Sequence, residues 1–202
     1  SAAPPDATPA RTYVDLDFGW RFSLGDFASA MQPMFDDSAW KQVNVPHDWS
    51  IAGPFSADYG SGNGYAPGGV GWYRKHFTVS KADSCSRFQI QFDGFSRNAN
   101  IWLNGFYVGN NMSGYIGASY DVTDFINYNH DNVLVVRVDA TQYEGWFYEG
   151  AGIYRHVWLN EYDNTHLATD GVFIFTDVKN NNATVSSQST LQNQNDASTN
   201  CS

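Results

Sequence analysis

Basic residues are scarce: 11 Lys and Arg stand against 21 Asp and Glu in 202 residues, a formal charge of −10. A polyanion without a Lys/Arg cluster is repelled by phosphates, so nucleic acid is excluded as a partner. No apolar run reaches the roughly 18–20 residues that carry a helix across a bilayer, so no membrane partner is expected. Cysteine is limited to Cys85 and Cys201. They allow one disulfide, two unpaired thiols or a partner outside the chain, and spacing leaves these open. The five histidines (His47, His76, His130, His156 and His166) show no two-His helical spacing, and no Cys pair accompanies them. A metal site is therefore not expected. No G-x-S-x-G elbow occurs, and the glycine-rich run Gly68–Lys75 lacks both a following helix and a Lys-Ser/Thr ending. That run reads instead as a flexible loop entering a strand, and no cofactor is expected. Glutamate is the scarcest acid, represented only by Glu144, Glu149 and Glu161.

Aromatic residues, by contrast, make up 16% of the chain, as much as all charged residues together. Short β-branched or alternating runs recur at Phe18–Phe22, Tyr73–Val79, Arg87–Phe92, Ala99–Leu103, Val133–Val138, Val157–Leu159 and Val172–Phe175. Gly, Asn and Asp punctuate them every 8–12 residues or so, the spacing of an all-β sandwich or barrel. Asn104-Gly105 between Ile101-Trp102-Leu103 and Phe106-Tyr107-Val108 predicts a hairpin with a type I′ turn, because both central residues accept positive φ. Phe35–Trp40 reads as a helical turn or an irregular link.

The ends carry a different signal. Ser1 is not Met, and Ala2–Ala10 is Ala- and Pro-rich, as in a mature N-terminus left after signal-peptide removal. Residues 1–14 are expected to be flexible. Sequons at Asn111, Asn182 and Asn200, together with the acidic composition, point to a secreted glycoprotein. Composition shifts near Thr165, and Ala183–Gln194 alternates as one strand does. A single strand cannot bury its own face, so residues 167–202 are expected to be a linker and the first strand of a further domain.

Two constellations carry candidate chemistry. In Pro46-His47-Asp48-Trp49-Ser50, a carboxylate can accept from paired hydroxyls while an indole covers the apolar face of a pyranose. Equally, Asp48 can cap a turn and Trp49 can belong to the core. In Tyr143-Glu144-Gly145-Trp146-Phe147-Tyr148-Glu149-Gly150, aromatics, carboxylates and glycines interleave as in a binding loop. Arg155 reads as an ion-pair partner that supports this loop. Glu144 and Glu149 share that Gly-rich loop, and two carboxyl groups there are poorly preorganised as an acid–base pair. No catalytic residue is therefore expected in the chain.

Pro46-His47-Asp48-Trp49-Ser50-Ile51, Gly71-Trp72-Tyr73-Arg74-Lys75, Trp102-Leu103-Asn104-Gly105 and Gly150–Leu159 occur in that order. Together they resemble the N-terminal sugar-binding domain of glycoside hydrolase family 2, with the β-galactosidase branch the nearest. The resemblance covers Asp15 to Glu161 and implies a galactose-binding-like jelly-roll β-sandwich over residues 15–166. It also implies an immunoglobulin-like domain beginning in 167–202, and a (β/α)₈ barrel that supplies both catalytic glutamates of a retaining mechanism. Transferred by position, Asp48, His47, Trp146, Tyr148 and Glu149 would contact a terminal β-galactoside, and Arg74 and Arg155 would hold loops. Relatives commonly carry Pro at position 149 and Arg-Trp at 146–147, where this chain differs. A stand-alone galactoside-binding lectin or carbohydrate-binding module is the alternative that the same loops allow.

Overall fold

The computed structural model describes residues 11–142, 145 and 148–195. Two antiparallel sheets pack face to face. The larger is formed by β2 (Trp20–Leu24), β3 (Lys41–Val43), β4 (Gly69–Thr78), β6 (Ala99–Leu103), β7 (Phe106–Asn111) and β9 (Asp131–Ala140), in the order β3-β2-β4-β9-β6-β7. The smaller is formed by β1 (Arg11–Asp15), β5 (Arg87–Phe92), β8 (Ala118–Asp121) and β10 (Val157–Tyr162), in the order β1-β10-β5-β8. This is the jelly-roll β-sandwich that the sequence led us to expect.

The core follows from alternation. In β5, Phe88, Ile90 and Phe92 point inward and are buried, while Arg87, Gln89 and Gln91 lie on the other face. They meet Tyr73, Ile101, Leu103, Leu134 and Val136 from the larger sheet. β9 is buried on both faces from Val133 to Val136, because the long connection between β2 and β3 folds over the sheet's outer side. Ala30 lies there against Trp72, Val133 and Val135.

Arg74 secures that connection. Its guanidinium is fully buried, with Nε donating to Asp37 Oδ2 at 2.7 Å. Nη1 donates to the carbonyls of Ala30 (2.5 Å) and Gln32 (3.0 Å), and Nη2 to those of Pro33 (3.2 Å) and Phe35 (3.4 Å). All five N–H donors of the side chain are thus satisfied. The Phe35–Trp40 segment is the irregular link of the two expected forms, with a turn at Ser38 and Ala39.

Several expectations need correction. Arg11–Val14, assigned to a flexible end, belong to β1, whose Thr-Tyr-Val centre pairs with Leu159–Glu161 of β10. The run at Phe18–Phe22 begins two residues late because Gly19, at φ 75°, turns the chain before Trp20. Gly69–Lys75 is strand and not loop. At Gly71 a Cβ would come within 2.7 Å of Trp49 and 2.9 Å of Phe22, so the missing side chain is the space those rings occupy. The Asn104-Gly105 turn is as expected, with φ of 53° and 84°. The tail strand is not alone: β11 (Thr165–Lys179) and β12 (Asn182–Asn193) form a hairpin across Asn180 and Asn181, both at positive φ. Arg11 Nη2 donates to Leu167 O at 2.8 Å, and the Tyr162 and His166 rings stack, tying this hairpin to the smaller sheet. Cys85 is exposed; its possible mate Cys201 lies outside the described residues.

Candidate functional site

The two sequence constellations meet at one end of the sandwich. Residues 47–49 and 151–153 run side by side, with His47 N donating to Ile153 O at 2.7 Å and Trp49 N to Ala151 O at 3.0 Å. Ser96 N and Gly152 N exchange bonds with each other's carbonyls at 2.9 and 2.8 Å, adding a third segment. Gly152 sits where these backbones crowd. At φ 134°, its Cβ would lie 2.4 Å from His47 O and 2.5 Å from the Tyr73 hydroxyl.

Asp48 is both a cap and a surface carboxylate. It is the N-cap of the single-turn helix α1 (Trp49–Ala52), as a short polar residue at that position favours. Oδ1 accepts from the backbone N–H groups of Ser50 (2.8 Å), Ile51 (3.3 Å) and Ala151 (3.2 Å). Oδ2 accepts from the Tyr148 hydroxyl. Trp49 is buried in the core, so the structural reading of this motif holds for the indole. A carboxylate offers about four acceptor positions, so Oδ2 of the half-buried Asp48 retains capacity for a hydroxyl. Burial and the bond to Asp48 both push the Tyr148 phenol upward, which keeps it a neutral donor.

His47 Nδ1 lies 2.7 Å from the Tyr73 hydroxyl. Burial lowers the His47 pKa, and the charge of Lys41 adds to this. Tyr73 is pushed well up by burial, although the Ile153 N–H donates to its oxygen. A neutral ring accepting at Nδ1 from Tyr73 keeps its proton on Nε2. His47 therefore offers a neutral donor, not a fixed cation.

Glu149, expected to face a ligand, is turned inward. Its side chain is only 8% exposed, with Oε1 accepting from Gly145 N at 3.0 Å and Oε2 3.8 Å from Arg97 Nη1. A carboxylate on a Gly-rich loop gains more from a nearby guanidinium and a backbone donor than from dangling in water. Arg155, expected to support this loop, is exposed and makes no hydrogen bond or ion pair among the described residues. Arg74 does hold a loop, but it is the connection at residues 30–37. Trp146 and Glu144 lie outside the described residues.

Tyr73, Ser96 and Arg97 join the site without a signal in the sequence. Tyr73 alternates inward in β4 like any core residue, and nothing local in Phe95-Ser96-Arg97-Asn98 signals a contact with residues 149–152. Half-exposed or exposed rings at Phe55, Tyr59 and Tyr65 carry no such signal either. Their loop meets Gln142, Glu149 and Gly150 at Asn63, across a crevice of only about 10 Å³. That is room for about one water, so a sugar would lie on the open face of the cluster and not inside it.

Of the glycosylation candidates, Asn111 is 9% exposed, and its Nδ2 donates to Ile116 O at 3.1 Å. An amide so engaged is a poor acceptor for a glycan, which corrects that expectation. Asn182 is exposed beside the β11–β12 turn, and Asn200 lies outside the described residues. No group of three or more His, Cys, Asp or Glu residues that could hold a metal ion occurs among the described residues.

A family model described as the sugar binding domain of glycosyl hydrolases family 2 matches residues 14–163. The chain belongs to this family. It is 43% identical over 194 residues to the β-galactosidase BoGH2A of Bacteroides ovatus, covering 94% of this chain and 23% of that protein. It is 24% identical over 209 residues to a β-glucuronidase of Formosa agariphila, covering 91% of this chain and 21% of that one. Among solved structures, a β-glycosidase from Bacteroides vulgatus superposes with a TM-score of 0.87 at 33% identity, covering 92% of this chain and 25% of that one. The chain thus spans about a quarter of the length of these relatives. The names attached to these relatives include both galactosidase and glucuronidase.

Proposed function

We propose that this domain forms one wall of the substrate pocket of a secreted family 2 glycosidase that hydrolyses terminal β-galactosides with retention. The observation that carries the reading is the meeting of His47-Asp48 with Tyr148 and Gly150–Gly152, which leaves Asp48 Oδ2 and a neutral Tyr148 hydroxyl together at the surface. The Tyr148 proton is already given to Asp48, so the carboxylate and the phenol oxygen each accept from a sugar hydroxyl, while a neutral His47 Nε2–H supplies a donor. The exposed rings of Phe55, Tyr59 and Tyr65 offer apolar faces to the C–H side of a pyranose. Acid/base and nucleophile would come from a barrel domain of the same enzyme. The exposed apolar residues Phe173, Ile174, Phe175 and Val185 of the β11–β12 hairpin suit the opening of an immunoglobulin-like domain.

In the whole enzyme, Asp48→Asn preserves the cap, because an amide oxygen still accepts from Ser50 and Ile51, but removes the charge. We expect kcat/KM for a nitrophenyl β-galactoside to fall by about tenfold or more, with the melting temperature shifted by only a few degrees. Unchanged kcat/KM in both Asp48→Asn and Tyr148→Phe would remove these residues from the pocket. Faster hydrolysis of the β-glucuronide than of the β-galactoside would overturn the choice of sugar.

A further inference from the structure

One cavity lies away from the Asp48 cluster. It has a volume of about 540 Å³ and lies on the outer face of the smaller sheet. That size falls within the roughly 300–1,000 Å³ of small-molecule sites. Its floor includes Gln91 of β5, Ser119 of β8 and Tyr13 of β1. One wall is the connection carrying Arg155, and the other is the β11 bulge between Leu167 and Val172, which carries Asp170. None of the residues placed in the Asp48 cluster lines it.

We propose that this cavity binds a neutral oligosaccharide of two or three units. The side chains of Arg155, Ser119 and Asp170 make no hydrogen bond or ion pair among the described residues, so their polar atoms are available to a ligand. Arg155 brings only donors, Asp170 only acceptors, and Ser119 both. The charges that line the cavity balance, Arg11 and Arg155 against Asp93 and Asp170, so neither an anion nor a cation is favoured. Hydroxyl groups, which donate and accept, satisfy both signs of charge, and the ring of Tyr13, 54% exposed, offers a face for sugar C–H groups. The site also has a local reporter. Asp93, at the cavity edge, accepts from Gln91 Nε2 at 2.9 Å and from the indole Nε1–H of Trp158 at 3.0 Å.

The test is a titration of ¹⁵N-tryptophan-labelled protein with a sulfur-linked β-galactotriose, which a glycosidase leaves intact. The Trp158 indole cross-peak, assigned with Trp158→Phe, should move and saturate in the millimolar range. Arg155→Ala combined with Ser119→Ala should raise Kd by about tenfold, as expected for one or two lost hydrogen bonds, without altering the sugar-free spectrum. A Trp158 peak that stays still up to about 20 mM trisaccharide overturns the proposal, since binding weaker than millimolar is negligible. So does an unchanged Kd in the double variant, or a trigalacturonate that moves the peak at lower concentration than the neutral sugar. If Tyr148→Phe abolishes the shift while the double variant keeps it, the sugar occupies the Asp48 cluster alone and the cavity is not a site.

Discussion

Arg74→Met tests how the outer layer of the larger sheet is held. The change keeps the length and apolar stem of the side chain but removes five donors at once. Asp37 loses its 2.7 Å partner while its side chain stays 14% exposed, and four carbonyls between Ala30 and Phe35 lose their bonds. Removing one partner of a buried ion pair costs about 3–5 kcal/mol, because the other charge is left uncompensated. The loop can move outward to hydrate its carbonyls, and His76 still donates to Asp37 at 3.0 Å. Both keep the cost near the middle of that range, about 4 kcal/mol. At about 2–4 °C per kcal/mol for a domain of this size, the melting temperature should fall by roughly 8–16 °C. Urea unfolding followed by tryptophan fluorescence measures this directly, as Trp72 and Trp40 lie in the layer that would loosen. Arg74→Met with Asp37→Asn should lose much less than the two single variants summed. A loss below about 1 kcal/mol for Arg74→Met would refute the reasoning, because that is the cost of an ordinary surface ion pair.

His76 gives a pH-dependent companion. Burial alone would lower its pKa, but bonds to Asp37 (3.0 Å) and Asp131 (2.6 Å) outweigh it and raise the value. Its stabilisation is therefore complete below about pH 6.5 and is lost as pH rises through the folded-state value. The melting-temperature gap between wild type and His76→Gln should shrink from about pH 6 to pH 9, and a gap that widens contradicts the assignment. His47, held low by burial, works in the opposite sense: its contribution is lost on acidification. Gly152→Ala should destabilise by about 2–3 kcal/mol or more, read by thermal melting, because backbone oxygen stands where the methyl group must go. Expressed in a glycosylating secretory host, the protein should lose a glycan's mass in Asn182→Gln and be unaffected by Asn111→Gln, whose amide is engaged with Ile116.

Much of the fold was legible because side-chain alternation and turn chemistry are local. β5 and β6 occupy the residues that their alternation marks, and Asn104-Gly105 turns where two consecutive positive φ values are tolerated. What failed was non-local in cause. Gly71 looked like loop because glycine disfavours strands, yet its emptiness serves Trp49, a residue 22 positions away. β1 looked like part of a disordered end because its pairing partner lies near residue 160.

The site divides along the same line. Residue order alone determined the family and the two segments that meet, His47-Asp48 and Tyr148–Gly152, since motif spacing survives without contacts. Only the tertiary structure decided what each side chain does there. Asp48 caps α1 and shares Oδ2 with Tyr148, whereas Glu149, in the same aromatic loop, turns inward toward Arg97. Arg155 is exposed at the cavity on the outer sheet face, and Arg74 is sealed under the loop at residues 30–37. A carboxylate or guanidinium has the same chemistry in any sequence context. Whether it faces water, a ligand or a buried partner depends on which distant backbone groups the fold brings within hydrogen-bond range, and that distance is a property of the packed sheets alone.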